Sequence, residues 1–403
     1  MGPGGAGGED MVMKAQAYSM IAVLIAVPLF LFISFYITTS QTIRFGSMER
    51  VVADQERELM NGIEDDFERA VVISGKRAVL SAINEIINEG EYLINASAAL
   101  QELMLNGTLY GNYSFILAYN TLNDWKEKIL DVPSGFDVSI AYQNPRIENH
   151  DGINIKAITN LSAVVSDKME LSEIQISGNK AVLVSMIGLE DPIFPMNTLG
   201  LIERTINEYP YDFYADILVT GNALGNCSGN VSFDKGSPDG GDILVTENAS
   251  GVSGFAGVVA ESSDLPDLSC YIVGAAGAVA AINETIAGTE YESVYLDQKT
   301  GAVWSLPINE GIQNGYYYSS SGPDMLQRIE GNLSGGGNGM ESFVILPELQ
   351  AVGMEVKQED SMIDYLYFSG QSINGYQVRG LPDWFRIDAA NAERYGLAAL
   401  LVS

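Results

Sequence analysis

Residues 15–45 read AQAYSMIAVLIAVPLFLFISFYITTSQTIRF, and no charge falls between Lys14 and Arg44. About 20 apolar residues in a helix cross a hydrocarbon core of roughly 30 Å. The stretch therefore predicts a transmembrane helix over residues 16–43, centred on the apolar run from Ile21 to Ile37. Pro28 is tolerable there, and Tyr18 and Tyr36 stand near the ends, where interfacial aromatics belong. The alternative is a cleaved secretory signal peptide. Such peptides have apolar cores of about 7–15 residues and a small-residue cleavage site, and residues 34–39 (SFYITT) offer no such site. No later segment qualifies as a second span: residues 271–282 are short and rich in Gly and Ala, and read as a buried element.

Beyond the span, residues 46–88 keep a helical period. Val52, Leu59, Ile63, Phe67, Val71, Ala78 and Ile83 recur mostly at three- or four-residue steps, with Glu58, Asp65 and Glu68 on the other face. Gly62 and Gly75 interrupt this helix, each at a cost of about 1 kcal/mol against Ala. Gly90 ends it. A second helix is expected over 91–105 and a third over 121–130, where Thr121 and Asp124 suggest a capping box. Alternation then takes over: Phe136, Val138, Ile140 and Tyr142, and later Ile153, Ile155 and Ala157. Gly178-Asn179 reads as a two-residue hairpin turn, so 132–188 is expected to be a small antiparallel sheet. A short helix is expected near 198–207. Residues 221–241 are a Gly-, Asn-, Ser- and Asp-rich loop. Strands are expected at 243–246, 255–259, 268–273, 293–296, 302–305, 343–346 and 365–368, before a last helix capped by Asp388.

The 403 residues hold 21 Lys and Arg against 52 Asp and Glu, a formal charge of -31. No basic cluster exists to bind nucleic acid. One His and two Cys leave little for a His/Cys metal site. The single histidine, His150, sits in a polar turn, where a solvated loop residue is the ordinary reading. Ile73-Ser74-Gly75-Lys76-Arg77 lacks the upstream glycine and strand of a phosphate-binding loop, and Gly274-Ala275-Ala276-Gly277 lacks dinucleotide spacing. Asp234, Asp239, Asp242 and Glu247 could suit Ca²⁺, but their spacing matches no Ca²⁺ motif, and a solvated acidic loop is the ordinary reading. Tyr316-Tyr317-Tyr318 would serve either as a stacking platform for a glycan or as part of a strand.

The motif N-x-[ST] occurs nine times, at Asn95, Asn106, Asn112, Asn160, Asn226, Asn230, Asn248, Asn283 and Asn332, always after the apolar segment. These are acceptors for N-glycosylation on the secretory face. They place the N-terminus in the cytoplasm and the remainder outside the cell membrane. Cys227 and Cys270 would form a disulfide there or remain two buried thiols.

Lys14-Ala15-Gln16, followed by an apolar helix that runs into an amphipathic one, resembles the archaeal class III signal peptide of type IV pilin-like envelope proteins. The resemblance covers about the first 75 residues. It implies processing between Ala15 and Gln16, with the apolar helix kept for packing in a filament core. The fifth mature position, usually Glu in that family, is Met20 here.

The expected fold is α+β: a long N-terminal transmembrane-plus-stalk helix, then an antiparallel β-rich ectodomain. Its expected parts are a cytoplasmic leader (1–15), the span (16–43), a stalk helix (44–88), a helical segment (89–131), a small β module (132–210) and a β-rich C-terminal module (211–403). The expected function is a single-pass cell-surface glycoprotein with a structural, adhesive or minor-pilin role. It would have no catalysis, metal or cofactor, and would partner the lipid bilayer and pilin-like neighbours. A ligand-binding or sensory ectodomain is the alternative, and an envelope glycosidase with paired carboxylates is a third.

Overall fold

A computed structural model of the chain describes residues 7–131, 135–168, 172–211, 214–218, 231–234, 242–246, 258–261, 279–280, 285–286, 289–290, 294–297 and 302–402. For 7–24, 41–48, the strands between 216 and 303, and Ser305, only the backbone is described. The fold is α+β with mainly antiparallel sheets.

Helix α1 (Gly7–Glu89) is followed by α2 (Ala96–Asn106), a short hairpin of β1 (Thr108–Leu109) and β2 (Asn112–Tyr113), and α3 (Leu122–Asp131). Then come β3 (Phe136–Tyr142), β4 (Arg146–Asn149), β5 (Asn154–Asp167), β6 (Glu173–Ser185) and α4 (Ile193–Asn197). The chain divides into two compact units. Unit 1 is Met1–Phe67, Lys126–Gln143 and Asn160–Asn179; unit 2 is Glu68–Trp125, Asn144–Thr159 and Lys180–Ser403.

The transmembrane helix expected over 16–43 is a correction: among the described residues, no helix is long and apolar enough to cross a membrane.

In unit 1, β3 pairs antiparallel with β5, with Val138 opposite Val165 and Ile140 opposite Ala163. The alternation along β5 puts Leu161, Ala163 and Val165 inside. Phe67 of α1 meets Tyr142 at a ring separation of 5.8 Å. The hairpin turn expected at Gly178-Asn179 does not form. β6 runs straight through both residues, because Asn179 is held beside β5 by the Asn160 amide at 3.0 Å. Towards the start of β6, the Asp167 N–H reaches the Ser172 carbonyl at 3.2 Å.

In unit 2, Gly90 closes α1 with φ +72° and an N–H bond to Ile86, a left-handed cap that glycine adopts without a Cβ penalty. α2 starts later than expected, at Ala96, because Asn95 caps it through the Ala98 N–H. α2 packs on β4, and Ser97 Oγ donates to the Ile147 carbonyl at 2.6 Å. Gly75 lets β6 approach α1, since a Cβ there would lie 2.8 Å from Val184 Cγ2. The Thr121–Asp124 capping box forms in both directions, each N–H bonding the other side chain at 3.0 Å. The helix expected near 198–207 is displaced to α4. Pro192 and Pro195 tolerate a first helical turn, whose N–H groups lack partners anyway, and Leu199 and Gly200 leave it at positive φ.

Further along are β7 (Asp216–Leu218), β8 (Val231–Asp234), β9 (Asp242–Thr246) and β10 (Val258–Glu261). The strands expected at 293–296 and 302–305 form at Val294–Asp297 and Ala302–Ser305 and pair antiparallel. The expected strand at 268–273 lies outside the described residues. The C-terminal part carries α5 (Ile308–Asn314), α6 (Met325–Ile329), α7 (Leu346–Ala351), α8 (Asp364–Phe368) and α9 (Ala389–Arg394) among short ladders. Asp388 caps α9 as expected. The strand expected at 365–368 is instead α8. Asp364 Oδ1 accepts the Tyr365 N–H while its other oxygen is committed elsewhere in the core. The run 343–346 forms only an isolated bridge, Phe343 to Ile363, before α7 begins.

Candidate functional site

Several sequence candidates prove to be structural. Ser74 donates back to the Val71 carbonyl inside α1, Lys76 Nζ holds the Ile187 carbonyl and Arg77 the Ile116 carbonyl, each lysine or arginine contact at 2.9 Å. His150 lies in a turn, with Nε2 4.0 Å from Asp151. Asp234 and Asp242 stand opposite one another in the β8–β9 register, while Asp239 and Glu247 lie outside the described residues. Among the described residues no group of three His, Cys, Asp or Glu is placed to hold a metal. Of the two readings of Tyr316–Tyr318 the strand holds: Tyr318 opens a strand over Tyr318–Ser320, and Tyr317 and Tyr318 are both buried, Tyr318 among the rings of Tyr209, Tyr214, Phe343 and Tyr395.

Beneath that core lies a fully buried ionic cluster. Arg328 reaches Asp191 and, at 3.0 Å, Asp364, and donates to the Pro323 and Met340 carbonyls. The Tyr317 hydroxyl donates to Asp191 at 2.8 Å. Burial pushes the Asp364 carboxyl up to about 6, with Arg328 pulling the other way and Asp191 adding to the rise. With no exposure to solvent, the cluster locks the core and offers nothing to a ligand.

The surface feature that cannot be read as packing is the segment 108–120. Leu109 and Asn112 pair across a two-residue turn whose central residues, Tyr110 and Gly111, have φ +50° and +82°. This pattern matches the twist of a hairpin. Glycine takes it freely, whereas a tyrosine there costs of order 1–3 kcal/mol. Glu102 of α2 offsets that strain by accepting the Gly111 N–H at 2.9 Å, the Tyr110 N–H at 3.2 Å and the Thr108 hydroxyl at 2.8 Å. Partial burial opposes ionisation of Glu102, but these three hydrogen bonds outweigh it and hold its carboxyl below the ordinary range. Ser114 is tied to the Ser81 hydroxyl at 2.6 Å. Tyr119 also sits at positive φ, +61°.

This braced segment holds its aromatics outward: Tyr110 is 59% exposed, Tyr113 56%, Phe115 87% and Tyr119 77%. Tyr113 and Phe115 meet edge to face at 5.5 Å. Beside them is a groove of about 200 Å³ lined by Ser81, Asn84, Glu85, Asn112, Tyr113 and Phe115, among others. A larger hollow of about 380 Å³ is lined by Gln377, Arg379 and Asp383, among others.

Comparison with protein-family models, curated proteins and solved structures found no match for this chain. The site must therefore be read from its own geometry.

Of the sequon asparagines, Asn95, Asn106, Asn112 and Asn332 are exposed and Asn160 is partly covered. Asn226, Asn230, Asn248 and Asn283 lie outside the described residues, as do Cys227 and Cys270. Ala15 and Gln16 fall within α1. Sequence reasoning marked Asn112 in the hairpin but missed the aromatics around it. Gly111 with Asn112, turn-forming residues next to each other, was the available signal for a tight turn.

Proposed function

We propose that this chain is a non-catalytic structural or adhesive protein of the cell exterior, of minor-pilin-like type, which engages other surfaces through the aromatic face at residues 110–119. The observation that carries this reading is the pairing of strained, braced backbone with outward aromatics. Aromatic side chains supply large contact area and are enriched at interfaces, and backbone strain held by its surroundings gathers at functional sites. The nine sequons support the exterior placement.

Assembly belongs to α1. Ile25, Phe30, Leu31, Ile33 and Phe35 are all exposed, and at about 100° per residue these positions go round the helix. Apolar surface of this extent marks an interaction site. Copies of the same helix, packed on several sides, are the cover proposed for it.

The test is antibody labelling of residues 110–119 on intact cells, combined with attachment assays of a Phe115→Ser, Tyr119→Ser strain. Labelling without permeabilisation and reduced attachment are expected. Labelling only after permeabilisation, or unchanged attachment, would overturn the reading.

A further inference from the structure

We propose that the groove beside β2 is the seat of a sugar carried on Asn112, so that the chain's own N-linked glycan packs against Tyr113 and Phe115. The inference rests on the exterior reading above. Asn112 is exposed and is itself part of the groove lining, so the first ring attached to it starts inside the groove. The two walls differ in chemistry. Ser81, Asn84 and Glu85 stand on α1 at positions three and four apart, which share one face of a helix; Ser81 is tied to Ser114, and Asn84 and Glu85 supply an amide and a carboxylate to the lining. Opposite them is the edge-to-face pair of Tyr113 and Phe115. A pyranose has the matching character: an axial C–H face that lies on an aromatic ring, and hydroxyls that hydrogen-bond to amides and carboxylates.

Two further features favour this occupant. The tether removes the entropic cost of bringing a sugar to the groove, so a shallow cleft suffices. The hairpin is also fixed in advance by Glu102 and by the Ser81–Ser114 contact. Asn160, by contrast, spends its amide nitrogen on Asn179, and neither Asn95, Asn106 nor Asn160 is among the residues that line the groove. The bond is an N-glycoside. Asn112 Nδ2 attacks C1 of a lipid-phosphate-linked sugar, the lipid phosphate leaves with the glycosidic electron pair, and the amide gives up one proton.

The test begins with mass spectrometry of glycopeptides from protein purified from its native cells. A glycan on Asn112 is expected. Glycans on other sequons with Asn112 bare would overturn the seat alone, while nine bare sequons would overturn the exterior reading with it. The second measurement is the thermal midpoint of four forms: wild type, Asn112→Gln, Phe115→Ala and the double variant. Phe115→Ala should lower the midpoint by about 2–4 °C when Asn112 carries its sugar and have almost no effect beside Asn112→Gln. Truncating so exposed a ring should otherwise cost little. An equal shift in both backgrounds would show that the sugar does not rest on Phe115, and would overturn the proposal.

Discussion

Glu102, on α2, holds the N–H of Gly111 at 2.9 Å, so a helix side chain sets the conformation of a hairpin turn nine positions on. Without it, the Tyr110 and Gly111 N–H groups lose their acceptor. In Glu102→Ala, hydrogen exchange at these two amides should quicken at least about tenfold, the equivalent of about 1.4 kcal/mol of local stability, while the exposed edge of the hairpin leaves the global midpoint little changed. Unchanged exchange would show that the turn is held by something else.

The same contact has a pH signature. The folded-state carboxyl of Glu102 lies below its ordinary value of 4.5. A depressed acid contributes stability above the unfolded value and loses it as pH falls through the folded one. Protection of Gly111 should therefore hold down to about pH 4.5 and decline only below it. Glu102→Gln should remove this pH dependence. The check is amide exchange followed from pH 6 to pH 3.

Arg328 is buried with two carboxylates and two backbone carbonyls. Arg328→Met leaves Asp191 and Asp364 buried with no cation between them, and should cost about 3–5 kcal/mol. Urea unfolding of unit 2 is the measurement, and a loss under about 1 kcal/mol would contradict the role given to the cluster. Asp364→Asn should be milder, because Asp191 remains as the counter-charge.

Gly62 and Gly75 both sit within α1, but a Cβ at Gly62 meets nothing within 4 Å while one at Gly75 meets Val184 Cγ2 at 2.8 Å. Gly62→Ala should stabilise by up to about 1 kcal/mol through helix propensity. Gly75→Ala should lose that gain, and about 1–3 kcal/mol of overpacking should make the net effect destabilising. Combining Gly75→Ala with Val184→Ala should restore tolerance of the added methyl group. Equal responses at the two glycines would refute the packing account.

Phe30 is 73% exposed and Phe35 71%. If copies of α1 cover one another there, Phe30→Glu with Phe35→Glu should shift the sedimentation profile from an assembly to a single chain. An identical profile for both forms would remove self-association through this run.

The elements that were legible in the sequence are those whose partners lie within a turn or two. Gly90 ends α1 through its own left-handed backbone, Thr121 and Asp124 cap each other, Asp388 caps α9, and the alternation of β3 and β5 sorts inside from outside. The misread elements were decided at longer range. Gly178-Asn179 has the chemistry of a turn, yet Asn160 holds it in a strand. Residues 365–368 are the aromatic and apolar types of a strand, yet they form a helix whose first residue, Asp364, is held by Arg328.

By itself, then, the sequence determined the helical period of α1, the caps, the strand alternation and the strongly acidic composition, because each depends on residue type and short spacing. Tertiary structure alone decided which aromatics face solvent. Tyr318 is as amphipathic as Tyr110, but rings from distant segments surround it, whereas Tyr110 sits on strained turn backbone and stays exposed. Burial is a property of what the rest of the chain brings to a residue. For the same reason Arg328, paired across 137 positions with Asp191, left no mark in the local pattern.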